Sequence, residues 1–169
     1  KEISRSHKLI REKSGLITII GGKWTTYRKM AQDTLDLAIR YMHIPTKDCI
    51  TERYQIHGSR KNPDFSDPLY VYGTDADEIR NLVASSPAMA EKLHPDYAYT
   101  VGEVTWLVRN EMPRTLEDVL ARRLRILFLD ARAAMAMAPK VAGILATEWG
   151  KDETWTSAQV KAFNEVASN

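Results

Sequence analysis

An apolar run, Leu16-Ile17-Thr18-Ile19-Ile20, gives way at Gly21-Gly22 to residues whose apolar members recur at helical spacing: Met30, Leu35, Leu37, Ala38 and Met42. The pattern predicts a strand over residues 15–20 and a helix from 25 to about 42. Pro45 closes the helical pattern, and residues 46–74 are rich in turn formers such as Gly58, Pro63, Pro68 and Gly73, which reads as an extended connection. Within it, Arg53 to His57 fits a short strand. From residue 75 onward helix follows helix. Thr74, ahead of Asp75-Ala76-Asp77-Glu78-Ile79, marks one start; Thr100 with Glu103 forms a capping box, Thr115 with Asp118 a near variant, and Thr156 with Gln159 another box. Val101, Val104, Val108 and Met112 repeat at helical spacing, as do Leu116, Val119, Leu120, Leu124 and Leu127, and all are assigned to the core. Ala131 to Ala138 allow close helix packing, Pro139 is expected to end or restart a helix before Val141, Ile144 and Leu145, and the last helix is expected from Ser157 to about Ala167. The fold class is therefore mainly α: a multi-helix domain over residues 46–169, preceded over residues 1–45 by a short strand-turn-helix.

Composition adds bounds. A chain of 169 residues with 44% hydrophobic content fits one domain plus a smaller piece. It shows neither an apolar stretch of membrane-spanning length nor a secretory leader, so a soluble, cytoplasmic protein is expected. Cys49 is the single cysteine, which excludes an intramolecular disulfide and suits reducing surroundings. His7, His43, His57 and His94 lack ligand spacing, and no metal site is expected. The net charge of +2 gives no global argument for nucleic acid. Its distribution is uneven: Lys1, Arg5, Lys8, Arg11, Lys13, Lys23, Arg28 and Lys29 crowd the start, opposed there by Glu2 and Glu12. Such an arm fits nonspecific phosphate binding, an anionic substrate or a solvated strand edge; without interleaved aromatics, no nucleic-acid partner is expected. Arg122-Arg123-Leu124-Arg125 lies on an amphipathic helix, where pairing with Glu111 or Glu117 makes a structural ion network. Trp24, Trp106, Trp149 and Trp155 read as packing anchors, with Trp24 set apart by its place in the glycine turn.

That turn carries the candidate chemistry. Gly21 and Gly22 permit backbone geometries closed to other residues and let a ligand approach the main chain. Thr25 and Thr26 are placed to cap the following helix, whose first amides favour an anion. Lys23 adds a full positive charge, suited to an anionic oxygen or to a cofactor ring that becomes negative during reaction. A nucleotide P-loop is excluded, because Trp24 stands where Ser or Thr must follow the lysine and Ile17 where a glycine is required.

The octet Gly21-Gly22-Lys23-Trp24-Thr25-Thr26-Tyr27-Arg28 resembles the late flavin-contacting segment of FAD-dependent glycerol-3-phosphate dehydrogenases. Ile3-Ser4-Arg5 is similar to that family's phosphate-holding segment, Ser14-Gly15-Leu16-Ile17-Thr18-Ile19 to its strand, and Arg28-Lys29-Met30-Ala31 to its helix. Far downstream, Arg109-Asn110-Glu111-Met112-Pro113-Arg114-Thr115-Leu116-Glu117-Asp118-Val119-Leu120-Ala121-Arg122-Arg123 resembles the signature of its helical C-terminal domain.

The resemblance implies that residues 1–45 are the remnant of an α/β FAD-binding domain. The Gly-x-Gly-x-x-Gly turn of such a domain is missing, so the chain is expected to be a C-terminal segment, inactive by itself and without bound FAD. In the complete enzyme, sn-glycerol 3-phosphate would be oxidised to dihydroxyacetone phosphate, with electrons passing through FAD to quinone. The resemblance gives Lys23 a catalytic place beside flavin and substrate, gives Arg5 the substrate phosphate, and gives Gly21, Gly22, Lys23, Trp24, Thr25 and Thr26 the cofactor. Arg28 is read as a structural pair, and the general base is expected upstream. The alternatives are an oxidase using O2, or a helical interaction module with nonspecific anion binding. The resemblance also allows a homo-oligomer and peripheral attachment at the inner face of a membrane.

Overall fold

The computed structural model describes residues 6–168. The chain divides into two compact units, Lys1–Ile56 and His57–Asn169.

In the first unit, β1 (His7–Arg11) pairs antiparallel with β2 (Ile17–Gly21), setting His7 opposite Gly21, Leu9 opposite Ile19 and Arg11 opposite Ile17. Gly15, at φ +91°, turns the hairpin, its amide donating to the Glu12 carbonyl at 3.0 Å. A 3-10 turn over Trp24–Thr26 then leads into α1 (Tyr27–Met42). His43, left-handed at φ 53°, and the Ile44 amide close the end of α1 on the Ile39 carbonyl, two residues ahead of Pro45. The strand and helix expected here are present, whereas β1 is an addition. No described residue of this unit is fully buried; Leu35 and Met42, assigned to the apolar side of α1, are 60% and 65% exposed. The strand expected at Arg53 to His57 does not form: the chain turns instead, the Arg53 amide donating to the Ile50 carbonyl at 3.1 Å.

The second unit is helical. After a 3-10 segment at Tyr70–Asp75 come α2 (Ala76–Ala84), α3 (Pro87–Ala90) and α4 (Val101–Asn110). A π-helical turn over Asp118–Arg123, α5 (Ile126–Leu129), α6 (Ala131–Trp149) and α7 (Glu153–Ala167) complete it. The core gathers around α6, where Ala133, Ala134, Met137, Ala138, Val141, Ala142 and Leu145 are buried with Val104 and Leu107 of α4, Val119 and Leu120 of the π turn, and Phe163 of α7. The alanines let neighbouring helices approach, as the sequence implies.

Several local expectations are corrected. α6 runs through Pro139 because the proline lies on the exposed side, while the buried row opposite holds the helix. Met112 is 83% exposed at φ 46°: α4 has already ended at Asn110, so the helical spacing no longer aims it inward. α7 begins at Glu153, capped by Asp152, whose carboxylate accepts the Trp155 amide at 2.8 Å. Thr156 is thus inside the helix, and Gln159 accepts the Leu116 amide at 3.0 Å instead of forming a box. Asp75 rather than Thr74 precedes α2, and its carboxylate takes His57 Nε2 at 2.8 Å. Thr100 does cap α4, accepting the Glu103 amide at 3.2 Å.

The Thr115 and Asp118 pairing also forms. Asp118 accepts the Arg114 and Thr115 amides at 2.9 and 3.0 Å, and its own amide donates to the Thr115 hydroxyl at 3.1 Å. Burial works against ionisation of Asp118, yet these amides hold its carboxyl below the usual carboxylate range. Arg122 pairs with Glu117 at 2.9 Å and Asp118 at 3.3 Å. Arg123 donates to the Glu111 and Asp118 carbonyls at 2.6 and 2.9 Å and lies 3.4 Å from the Glu111 carboxylate. The arginine run is therefore a structural ion network, as expected. Trp106 is buried, and Trp149 meets Trp155 edge to face at 5.7 Å.

Candidate functional site

β2 delivers the chain to Gly21 and Gly22 at φ +78° and +81°, in the left-handed region that glycine enters without strain. Space demands glycine as well. A Cβ on Gly21 would lie 3.0 Å from the Ser6 carbonyl oxygen; one on Gly22 would lie 2.5 Å from Met30 Sδ and 3.4 Å from His7 Cβ. The turn is pressed between β1 and α1.

Lys23 follows in extended geometry, φ −134° and ψ 156°, with its side chain exposed. Thr26 was expected to cap α1. Instead its hydroxyl accepts the Lys23 amide at 3.2 Å and donates to the Lys23 carbonyl at 2.9 Å, which closes the 3-10 turn. Thr25 is exposed and gives α1 no side-chain cap either. The first amides of such a turn, on Trp24 and Thr25, are those that helical bonding leaves free. Trp24 is 88% exposed, tilted against Tyr27 at 5.9 Å between ring centres. A groove of about 550 Å³ runs along this corner, lined by Ile19, Gly21, Gly22, Lys23, Trp24, Tyr27, Met30, Ala31, Thr34 and Leu35. An open, mostly apolar trough with a lysine and free amides at one end suits a flat, partly anionic ring.

Beneath the turn lies a network that sequence reasoning missed. His7 Nε2 is 3.0 Å from Asp33 Oδ2, and Lys29 Nζ is 2.8 Å from Asp33 Oδ1. The Lys29 hydrogen bond holds the Asp33 carboxyl below the usual range, and the same contact raises Lys29. The Lys29 to Asp33 spacing was visible as an i,i+4 pair; His7 was not, because its place depends on the unforeseen pairing of β1 with β2. On the far side of α1, Arg28 donates to Gln32 and Thr51 at 2.9 and 3.3 Å, so its partners are neutral. Arg11 stacks over the Tyr41 ring at 3.2 Å.

The structure thus brings Gly21, Gly22, Lys23, Trp24, Thr25 and Thr26 together in one turn, while Arg5 lies outside the described residues. The remaining histidines are dispersed: His57 binds Asp75 and His94 lies 3.8 Å from Asp96. Among the described residues, no group of three His, Cys, Asp or Glu side chains could hold a metal ion, and no helix is long and apolar enough to cross a membrane.

A two-stranded hairpin and helix meeting at a glycine-lysine turn stand in one chain with a separate helical unit that has its own core. The profile of the family described as the C-terminal domain of alpha-glycerophosphate oxidase matches residues 16–156, and the chain belongs to that family. It is 34% identical to a Caenorhabditis elegans protein named "Probable glycerol-3-phosphate dehydrogenase, mitochondrial", over 99% of this chain and 25% of the relative. It is 30% identical to mitochondrial glycerol-3-phosphate dehydrogenases of Arabidopsis thaliana, over 100% of this chain and 34% of the relative, and of Mesocricetus auratus, over 99% and 25%. The chain thus spans a quarter to a third of these relatives. Their mitochondrial names overturn the cytoplasmic expectation, which had rested on a leader not being visible in the sequence.

Proposed function

We propose that this chain is the carboxy-terminal segment of an FAD-dependent enzyme that oxidises sn-glycerol 3-phosphate to dihydroxyacetone phosphate and passes the electrons to quinone. In this reading residues 1–45 belong to the flavin-binding part, residues 46–169 form a helical structural or interaction domain, and the isolated chain is inactive. FAD, when bound, supplies hydride acceptance. Gly21 and Gly22 let the main chain approach the ring, the free amides of Trp24 and Thr25 face its pyrimidine edge, the Thr26 amide being spent on the Lys23 carbonyl, and Lys23 stabilises the negative charge that develops there. Arg5 holds the substrate phosphate by charge-assisted hydrogen bonds.

The observation that carries this reading is the pair of left-handed glycines placing an exposed lysine at the end of an open trough. The water-exposed Trp24, Tyr27, Leu35 and Met42 fit it, since a ring and the missing part of a larger domain would cover them. The test is the full-length polypeptide purified with and without Lys23→Met. The expected result is a yellow protein whose variant retains flavin but loses about 10²-fold or more in kcat. A colourless wild-type protein, or an unaffected variant, refutes the reading.

The family's description as an oxidase favours O2 as the alternative electron acceptor. Assay with a quinone analogue without oxygen, set against peroxide formation in air, separates the two; stoichiometric peroxide selects the oxidase.

A further inference from the structure

We infer that His7 and Asp33 are positioning residues for Lys23, fixing the glycine turn at a set height over α1. This rests on the flavin reading above for its functional consequence, but not for its geometry.

The ladder pairs His7 with Gly21, so the imidazole sits directly under the turn. From there Nε2 reaches Asp33 Oδ2 at 3.0 Å, in the second turn of α1. The other oxygen of Asp33 is occupied by Lys29 at 2.8 Å, which fixes the carboxylate plane. Both partners are half-buried, with side-chain exposures of 17% and 29%. Gly22 lies between this tie and Met30, with so little room that a Cβ would strike the sulfur. The turn is therefore held at three points: the strand ladder, the Met30 thioether and the His7 to Asp33 bond. The His7 to Asp33 bond adds a side-chain tie from the strand position opposite Gly21 to the helix that follows Lys23. A reacting group needs placement well inside 1 Å, and a tie of this kind supplies it without touching the cofactor.

The experiment compares His7→Ala, His7→Gln and Asp33→Asn in the full-length flavoprotein. His7→Ala and Asp33→Asn are expected to lower kcat about tenfold or more and to shift the flavin reduction potential, with flavin content and Tm close to wild type. His7→Gln places an amide donor near the former Nε2 and is expected to restore both. A merely structural tie would lower Tm and leave the potential and kcat in place. That result, or His7→Gln failing to restore the potential, overturns the inference.

Should the wild-type protein hold no flavin, the functional reading fails. Amide hydrogen exchange in the 169-residue chain then decides the geometry. Exchange at the hydrogen-bonded Lys23 and Thr26 amides faster by about tenfold in His7→Ala, with α6 unchanged, upholds the positioning role, and unchanged exchange at these two amides overturns it.

Discussion

Tyr72 donates its hydroxyl hydrogen to the Glu103 carboxylate at 2.7 Å, joining the 3-10 segment before α2 to the first turn of α4. Glu103 is 4% exposed; burial drives its carboxyl above the usual range, and the hydrogen bonds from Tyr72 and the Thr100 amide offset only part of this. The folded state therefore binds this proton more tightly than the unfolded chain does. Stability from this group is complete below the ordinary value of 4.5 and declines as pH rises through the higher folded value. Urea unfolding of the helical unit at a series of pH values should show that decline, and Glu103→Gln should flatten it. Tyr72→Phe, which takes a donor from a buried acceptor, should cost about 1–3 kcal/mol near neutral pH.

Gly22→Ala forces a left-handed β-carbon onto the Met30 sulfur. The backbone term alone is about 1–2 kcal/mol. Amide exchange across Ile17 to Tyr27 should speed up while the helical unit keeps its protection. Adding Met30→Ala should recover the steric part but not the backbone part, a non-additive result that a double-mutant cycle reads directly.

Pro139→Ala should stabilise the protein. The substitution restores an amide donor to the Met135 carbonyl in mid-helix, at an exposed position. An interior proline costs up to about 3 kcal/mol relative to alanine, and a gain of about 1 kcal/mol or more should appear as a higher Tm.

Phe163 is 2% exposed and is the one buried residue of α7. Phe163→Ala should cost about 3–5 kcal/mol, measured by urea unfolding, because the cavity opens in the core around α6 rather than at the surface.

What the sequence revealed and what it hid divide along physical lines. The strand into Gly21-Gly22 and the helix leaving it were legible because an apolar run, two glycines and helical spacing all act within a few residues. The ion network at Arg122 and Arg123 was legible for the same reason. β1 was not, since the polar-rich His7–Arg11 segment becomes a strand only by pairing with β2, and His7 entered the site through that pairing. Pro139 was misread because a local rule about proline was outweighed by the buried row opposite it. The cap of α7 was misplaced because both Asp152 and Thr156 satisfy cap chemistry, and the choice fell to Gln159, drawn away to the Leu116 amide.

Every described residue before His57 meets water to some degree, whereas α6 keeps eight of its residues sealed. A limited digest of the isolated chain should therefore clip the amino-terminal third early and leave a resistant helical product.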